Sequence, residues 1–297
     1  PLDYQRFPRW RDVPPSQWND WKWQARNTIT TLDDLDGVVH LSAREKEALL
    51  PTVAKYHLAL PPFYASLIDG EDRHDPIRRQ AVPLPEESFF HGHEMDDPLA
   101  EDETSPVPGL THRYPDRVLL VTTNYCSMYC RHCTRKRIWK QGEAPATKES
   151  IERMVDYVGR HDGIRDALVS GGDPLTLPLD RLEFILSRLR AIKHLEIIRI
   201  GSRLPVVMPM RITDELVRVL DKYGPIWLNT QFNHPREVTA EAAAAVDRFL
   251  RAGIPVNNQT VLLKGINEQP ATMIALNQAL LRAKIRPYYL FQCDLVV

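Results

Sequence analysis

Three of the four cysteines in this 297-residue chain fall within eight residues, in the string CSMYCRHC at 126–133. The spacing is C-x3-C-x2-C. A disulfide framework spreads its cysteines along the chain, whereas clustered thiolates point to metal ligation in a reducing compartment. A loop of this length can wrap Cys126, Cys130 and Cys133 around one face of an iron–sulfur cubane. Such clusters usually take four Cys ligands, so three leave one iron open to another molecule. Nothing marks the fourth cysteine, Cys293, as a ligand. The competing reading is a three-Cys-plus-His zinc site using His132, although zinc motifs normally come as two separated pairs.

Ligands need elements to position them. Apolar, β-branched runs at 118–124, 166–170, 196–202, 226–232, 255–263 and 286–292 alternate with helical stretches near 148–161, 180–192, 213–223, 239–252 and 268–284. Alternation of this kind is the signature of a parallel α/β sheet. Right-handed crossovers curl it into a barrel or an open barrel. The expected fold is α/β: a partial (βα)6 barrel over 111–297, with Gly224 and Gly253 where helix C-caps fall. Active sites in such barrels lie at the C-terminal strand ends, and the cysteines directly follow the first strand. Residues 1–110 are expected to form a helical N-terminal extension and linker. Trp18, Trp21 and Trp23 read as one helix, Ser42-Ala-Arg-Glu45 as a capping box, and PPFYASLID as a short helix. The segment 91–109, rich in Asp, Glu, Pro and Gly, reads as a linker. Its His91 and His93 read as solvated.

Composition bounds the function class. Hydrophobic residues make up 43% and charged residues 26%, ordinary for a soluble globular chain. The net charge of -1 gives no global basic field for nucleic acid. No apolar run reaches membrane-spanning length, and the polar N-terminus has no signal-peptide core. A cytoplasmic protein with no nucleic-acid or membrane partner is expected. The chain starts with Pro, so residues upstream are expected.

The string CSMYCRHCTRKR after a barrel strand resembles the radical S-adenosylmethionine (SAM) superfamily. Together with SPVPGLTHRYPDRVLL, LVSGGDPL, RIGSRLPVV, WLNTQFNHP, NNQTVLLKGIN, RPYYLFQCDL and DWKWQARN, it is similar to the lysine 2,3-aminomutase family over nearly the whole chain. The resemblance implies a 4Fe–4S cluster on Cys126, Cys130 and Cys133, SAM on the open iron, and pyridoxal phosphate (PLP) as second cofactor. An electron from the cluster would open SAM to a 5′-deoxyadenosyl radical, and nitrogen would migrate from C2 to C3 of an amino acid. The expected partners are a small-molecule amino acid, an electron donor such as flavodoxin or ferredoxin, and further copies in a homo-oligomer.

Residue by residue, the resemblance implies that Gly171, Gly172 and Asp173 meet the methionine end of SAM, Asp173 accepting from its ammonium. Ser202 and Gln259 would lie near SAM or PLP, and His132 near the adenosine. Arg113, Tyr114 and Arg117 would contact the PLP phosphate, for which forked guanidinium donors suit a dianion. Arg135 would pair with the substrate α-carboxylate, and Asp294 with its distal ammonium. Each has a plainer reading: Gly-Gly-Asp as a common turn, the strand-end polar residues as interior hydrogen bonding, the arginines as surface, Asp294 as an exposed acid. The family's Schiff-base lysine is expected beyond Val297, so the catalytic lysine is unassigned and the chain is expected to be truncated. Gln231 stands where some members have His. Gln269 stands where clostridial-type members have a zinc-binding Cys. L-lysine to L-β-lysine is the expected reaction. The alternatives are the same chemistry on glutamate or arginine, β-lysine formation for elongation-factor modification, a SAM-cleaving domain without PLP chemistry, and a zinc-binding structural protein.

Overall fold

The computed structural model describes residues 3–89, 92–139 and 143–296. Seven strands form one sheet in sequence order: β1 (Leu110–Tyr114), β2 (Arg117–Thr123), β3 (Asp166–Gly171), β4 (Ile197–Gly201), β5 (Ile226–Thr230), β6 (Val256–Leu262) and β7 (Arg286–Gln292). β2 to β7 run parallel to one another. Six longer helices are α1 (Ala43–Lys55), α2 (Lys148–Gly159), α3 (Leu179–Arg190), α4 (Asp214–Lys222), α5 (Ala240–Arg251) and α6 (Pro270–Arg282). Each of α2 to α6 connects consecutive parallel strands, as the alternating pattern requires.

The helices begin where their sequences supply a cap. Thr147, Thr213 and Thr239 each accept a hydrogen bond from a backbone N–H in the first turn. On α5, Ala242, Ala245, Val246 and Phe249 are buried, an i, i+3, i+4, i+7 stripe facing the sheet. Gly253, at φ +72°, takes the left-handed turn after α5. Gly224 does not; it precedes Pro225 and lies outside the left-handed region.

The sequence reading departs from the structure at four places. β1 was not expected. It pairs antiparallel with β2, and only Leu110 of its five residues is buried, so it carries no alternating apolar signal. The tryptophans occupy two short helices, Pro15–Trp18 and Trp21–Arg26. The break falls at Asp20, whose carboxylate caps the second through Lys22 N at 2.9 Å. In the extension only α1 is long; its Ser42–Glu45 capping box is present. The segment read as a linker is tied to the fold at points: Met95 N donates to Leu295 O, and Glu101 is buried. His91 lies outside the described residues.

The extension and the sheet share one hydrophobic core, running from Tyr4 to Ile285. Phe63 is fully buried in it. The helical turn that carries Phe63, Pro62–Ala65, packs against the Leu204–Val207 turn that follows β4. Burial of such a ring stabilises by about 1.5–3 kcal/mol, and its deletion also leaves a cavity. Phe63→Ala should therefore cost about 3–5 kcal/mol in denaturant unfolding. A loss below about 1 kcal/mol would mean that this turn is not part of the core.

Candidate active site

The C-terminal ends of the strands open into one cavity of about 350 Å³, within the range of small-molecule sites. Cys126, Cys130, His132, Cys133 and Arg135 line it from the loop after β2. Gly171, Gly172 and Asp173 come from the end of β3, and Ser202 and Arg203 from the end of β4. Thr230 lines it from the end of β5, Gln231 from the loop after β5, Gln259 from β6, and Cys293 and Asp294 from beyond β7. The parallel topology brings these residues together from across 168 positions of sequence.

The cysteine loop has little regular structure of its own and is staked down by the extension. Arg131 grips Glu87 with Nε at 3.0 and 3.1 Å and Nη2 at 2.6 Å, and Lys136 Nζ reaches the same carboxylate at 3.4 Å. Arg131 N donates to Gln80 O at 3.0 Å, and Tyr129 N to Ala59 O at 3.3 Å. Cys126 and Cys133 pack against Tyr56, Ala59 and Tyr129. Arg203 Nη1 donates to Cys130 Sγ at 2.8 Å.

Burial pushes the Cys126 thiol well up, with Asp173 and the neighbouring thiols adding to it. Cys133 is pushed up to about 11, by burial first and Cys130 next. Thiolate ligands must lose these protons when a metal binds. Among the described residues, no three His, Cys, Asp or Glu side chains converge on one ion position. A cubane asks less, because each of its three thiolates binds a different iron. The donor set therefore fits a three-thiolate cluster. Cys293 also lines the cavity, and its Sγ donates to Asp294 O at 3.7 Å.

The turn after β3 depends on glycine. Gly171 is at φ +120°, and a Cβ there would collide with the Thr123 carbonyl; one on Gly172 would collide with that of Tyr125. Asp173 is a brace. Its Oδ1 accepts from Ser202 Oγ at 2.7 Å and Leu175 N at 3.1 Å, and its Oδ2 from Arg203 N at 2.8 Å and Leu204 N at 3.2 Å. Its carboxylate, expected to receive an ammonium, is thus already occupied by donors of the chain. Ser202 serves the same brace. Asn258 holds the Phe232 backbone from β6, its Oδ1 accepting from Phe232 N at 2.7 Å, which is interior hydrogen bonding. Gln259 and Thr230 face the cavity; Thr230 Oγ1 is buried with no partner among the described residues. That orphaned hydroxyl fits a polar ligand such as SAM. His132 Nε2 meets Gln231 Oε1 at 3.3 Å, and burial first, then Arg203, lowers its pKa to about 3, so it is neutral.

Arg135 lines the cavity in a bidentate pair with the buried Glu101, at 2.6–3.0 Å. Sequence reasoning missed Glu101, whose acidic surroundings read as solvated. Asp294 lines the mouth and is exposed. Arg113, Tyr114 and Arg117 do not enter the cavity. They are exposed on the β1–β2 hairpin, at the N-terminal end of β2, with Arg117 paired to Asp116. Near that end of the sheet, Arg199 Nη1 donates to Tyr288 OH at 3.4 Å and pairs with Asp166. Among the described residues no lysine lines the cavity, so the residues present do not complete a PLP site. Gln269 is the N-cap residue of α6, away from the cavity.

A parallel partial barrel that presents three loop cysteines and an unsatisfied cavity wall defines a class: barrel enzymes that hold an open-coordinate iron–sulfur cluster. The Radical SAM superfamily model matches residues 120–276. L-lysine 2,3-aminomutase of Clostridium subterminale is 48% identical over 98% of this chain and 70% of its own length. That of Acetoanaerobium sticklandii is 50% identical over 96% of this chain and 69% of its own. Glutamate 2,3-aminomutase of Clostridioides difficile is 44% identical over 93% and 65%. The chain belongs to the lysine 2,3-aminomutase family of the radical SAM superfamily, whose cofactors are a 4Fe–4S cluster, SAM and PLP.

Replacing Cys126, Cys130 or Cys133 by Ala should remove most iron from the reconstituted chain, and Cys293→Ala should not. Equal iron in all four variants would contradict the assignment. Burial pushes the Asp173 carboxyl from 3.8 up to about 6, against its four donors. A carboxyl raised in the fold stabilises the protonated form, so its contribution is full at low pH and is lost as pH rises through about 6. In cluster-free chain, the stability of wild type relative to Asp173→Asn should fall between about pH 4 and pH 6 and level off above. A flat or rising difference, measured by denaturant unfolding, would refute this.

Proposed function

We propose that this chain converts L-lysine to L-β-lysine by moving the amino group from C2 to C3. The observation that carries the reading is one cavity wall holding three cluster thiols, the Arg135 guanidinium and the Asp294 carboxylate. When bound, the cluster and SAM supply a hydrogen-abstracting radical. The chain's residues orient the substrate and keep the site sealed. Arg135 pairs with the α-carboxylate, which shares the guanidinium with Glu101 or displaces it. Asp294 receives the distal ammonium at the mouth. The apolar walls of Leu99, Ile138, Val207, Val261 and Phe291 exclude water from the space between. In the same reading, Gly171, Gly172, Ser202, Gln259 and His132 contact SAM, with Asp173 acting through Ser202. Arg113, Tyr114 and Arg117, expected at the PLP phosphate, lie outside the cavity and take no part in this reading. The reading also includes flavodoxin or ferredoxin as electron donor, a homo-oligomer and a cytoplasmic setting; no helix among the described residues is long and apolar enough to cross a membrane.

Glutamate is the second reading, because a 44% identical relative is named for it. The Asp294 carboxylate disfavours it, since a second carboxylate at the mouth is repelled. Asp294 is more exposed than a buried-pair argument requires, so its worth is that of a charged hydrogen bond, about 1.5–3 kcal/mol. Asp294→Ala should lower kcat/KM for lysine roughly ten- to hundredfold, with iron content unchanged. The assay is anaerobic β-lysine formation, beside a glutamate control. Equal lysine rates in both proteins, or glutamate as the better wild-type substrate, would sink the lysine reading.

A further inference from the structure

All three guanidinium nitrogens of the buried Arg203 have protein partners. Its Nε donates to Gln231 O at 3.2 Å and its Nη1 to Cys130 Sγ at 2.8 Å. Its Nη2 lies 2.7 Å from Glu237 Oε1, 2.6 Å from Gln80 Oε1 and 3.3 Å from Tyr64 OH. Glu237, fully buried, accepts from Tyr64 OH at 2.6 Å, Asn233 N at 2.5 Å and His234 N at 2.9 Å. A guanidinium is thus fixed against one cluster cysteine, and its counter-charge is fixed behind it.

We infer that Arg203 and Glu237 set the reduction potential of the cluster, Arg203 through its hydrogen bond to Cys130 Sγ and Glu237 by offsetting the guanidinium charge. A donor on a ligand sulfur draws electron density away from the iron, and a nearby cation favours the state that has gained an electron. Arg203 therefore eases reduction. Glu237 opposes it from one residue further away. Arginine stays protonated at any working pH, so the device is permanent and does not switch with acidity. Both are positioning residues: Arg203 lines the cavity but its three nitrogens are bonded to protein atoms, Glu237 is fully buried, and the effect passes through Cys130. The inference rests on the three-cysteine cluster and not on lysine as substrate.

The pair makes opposite predictions for its two members, which a merely structural role does not. Full-length chain is reconstituted with iron and sulfide, and the reduced-cluster EPR signal is followed in a mediated redox titration. Arg203→Gln should make the cluster harder to reduce by at least tenfold in the equilibrium constant, about 59 mV for one electron. Glu237→Gln should shift the midpoint the other way. Arg203→Lys, which keeps the charge, should recover part of the first shift. Iron content and the thermal midpoint of the cluster-free chain are read alongside. If Arg203→Gln holds no iron, Glu237→Gln decides alone: a positive shift supports the inference, and an unchanged or negative midpoint overturns it. Unchanged midpoints in both variants overturn it, as does a wild-type chain that takes up no cluster. That last result would also remove the cluster assignment, whereas a failed lysine assay with shifted midpoints would remove only the lysine reading.

Discussion

The guanidinium of Arg203 and the carboxylate of Glu237 lie 2.7 Å apart with almost no access to water. Desolvating such a pair costs several kcal/mol per ion, and attraction offsets this only where the remaining donors and acceptors are satisfied. Here partners come from three directions. Tyr64 and Gln80 come from the extension, Gln231 and Asn233 from the loop after β5, and Cys130 from the cysteine loop. The pair is therefore a junction. Removing either member leaves a bare buried charge and loosens the contacts that hold three segments in register around the cavity.

The cysteine loop explains why such a junction is needed. Three cysteines within eight residues must be held in place without a helix or strand to hold them. The extension supplies the hold through Glu87, Ala59 and Gln80. From the other side, Asp173 ties the glycine turn of β3 to the start of the loop after β4. The extension is in this sense a wall of the active site. Glu101 extends the same logic to another part of the cavity wall: it fixes Arg135 and Arg137 together, at 2.6 and 3.1 Å. That keeps a guanidinium oriented toward the cavity before any ligand arrives.

The barrel was legible because it is written in short-range periodicity. All six parallel strands and the five helices between them fall within two residues or so of their expected places. The cysteines were legible because their spacing is local. The junction was not, because its contacts join residues 139, 123, 73 and 34 positions apart. Arg203 was visible only as a polar residue at a strand end. Glu101 and the segment around it were read as linker because composition records acidity and not burial. β1 was missed because an exposed edge strand with one buried residue has no pattern to detect. The bracing by Asp173 was hidden for a related reason: a polar residue at a strand end can face a ligand or the next loop, and only the fold decides.

The central claim is that the cavity holds a 4Fe–4S cluster on three cysteines with one iron open to SAM. Mössbauer spectroscopy of chain reconstituted with ⁵⁷Fe tests it most directly, before and after SAM is added. The account predicts four irons per chain, one of which changes its spectrum when SAM binds while the other three do not. Four equivalent irons indifferent to SAM, or a chain that takes up zinc and no iron, would contradict it.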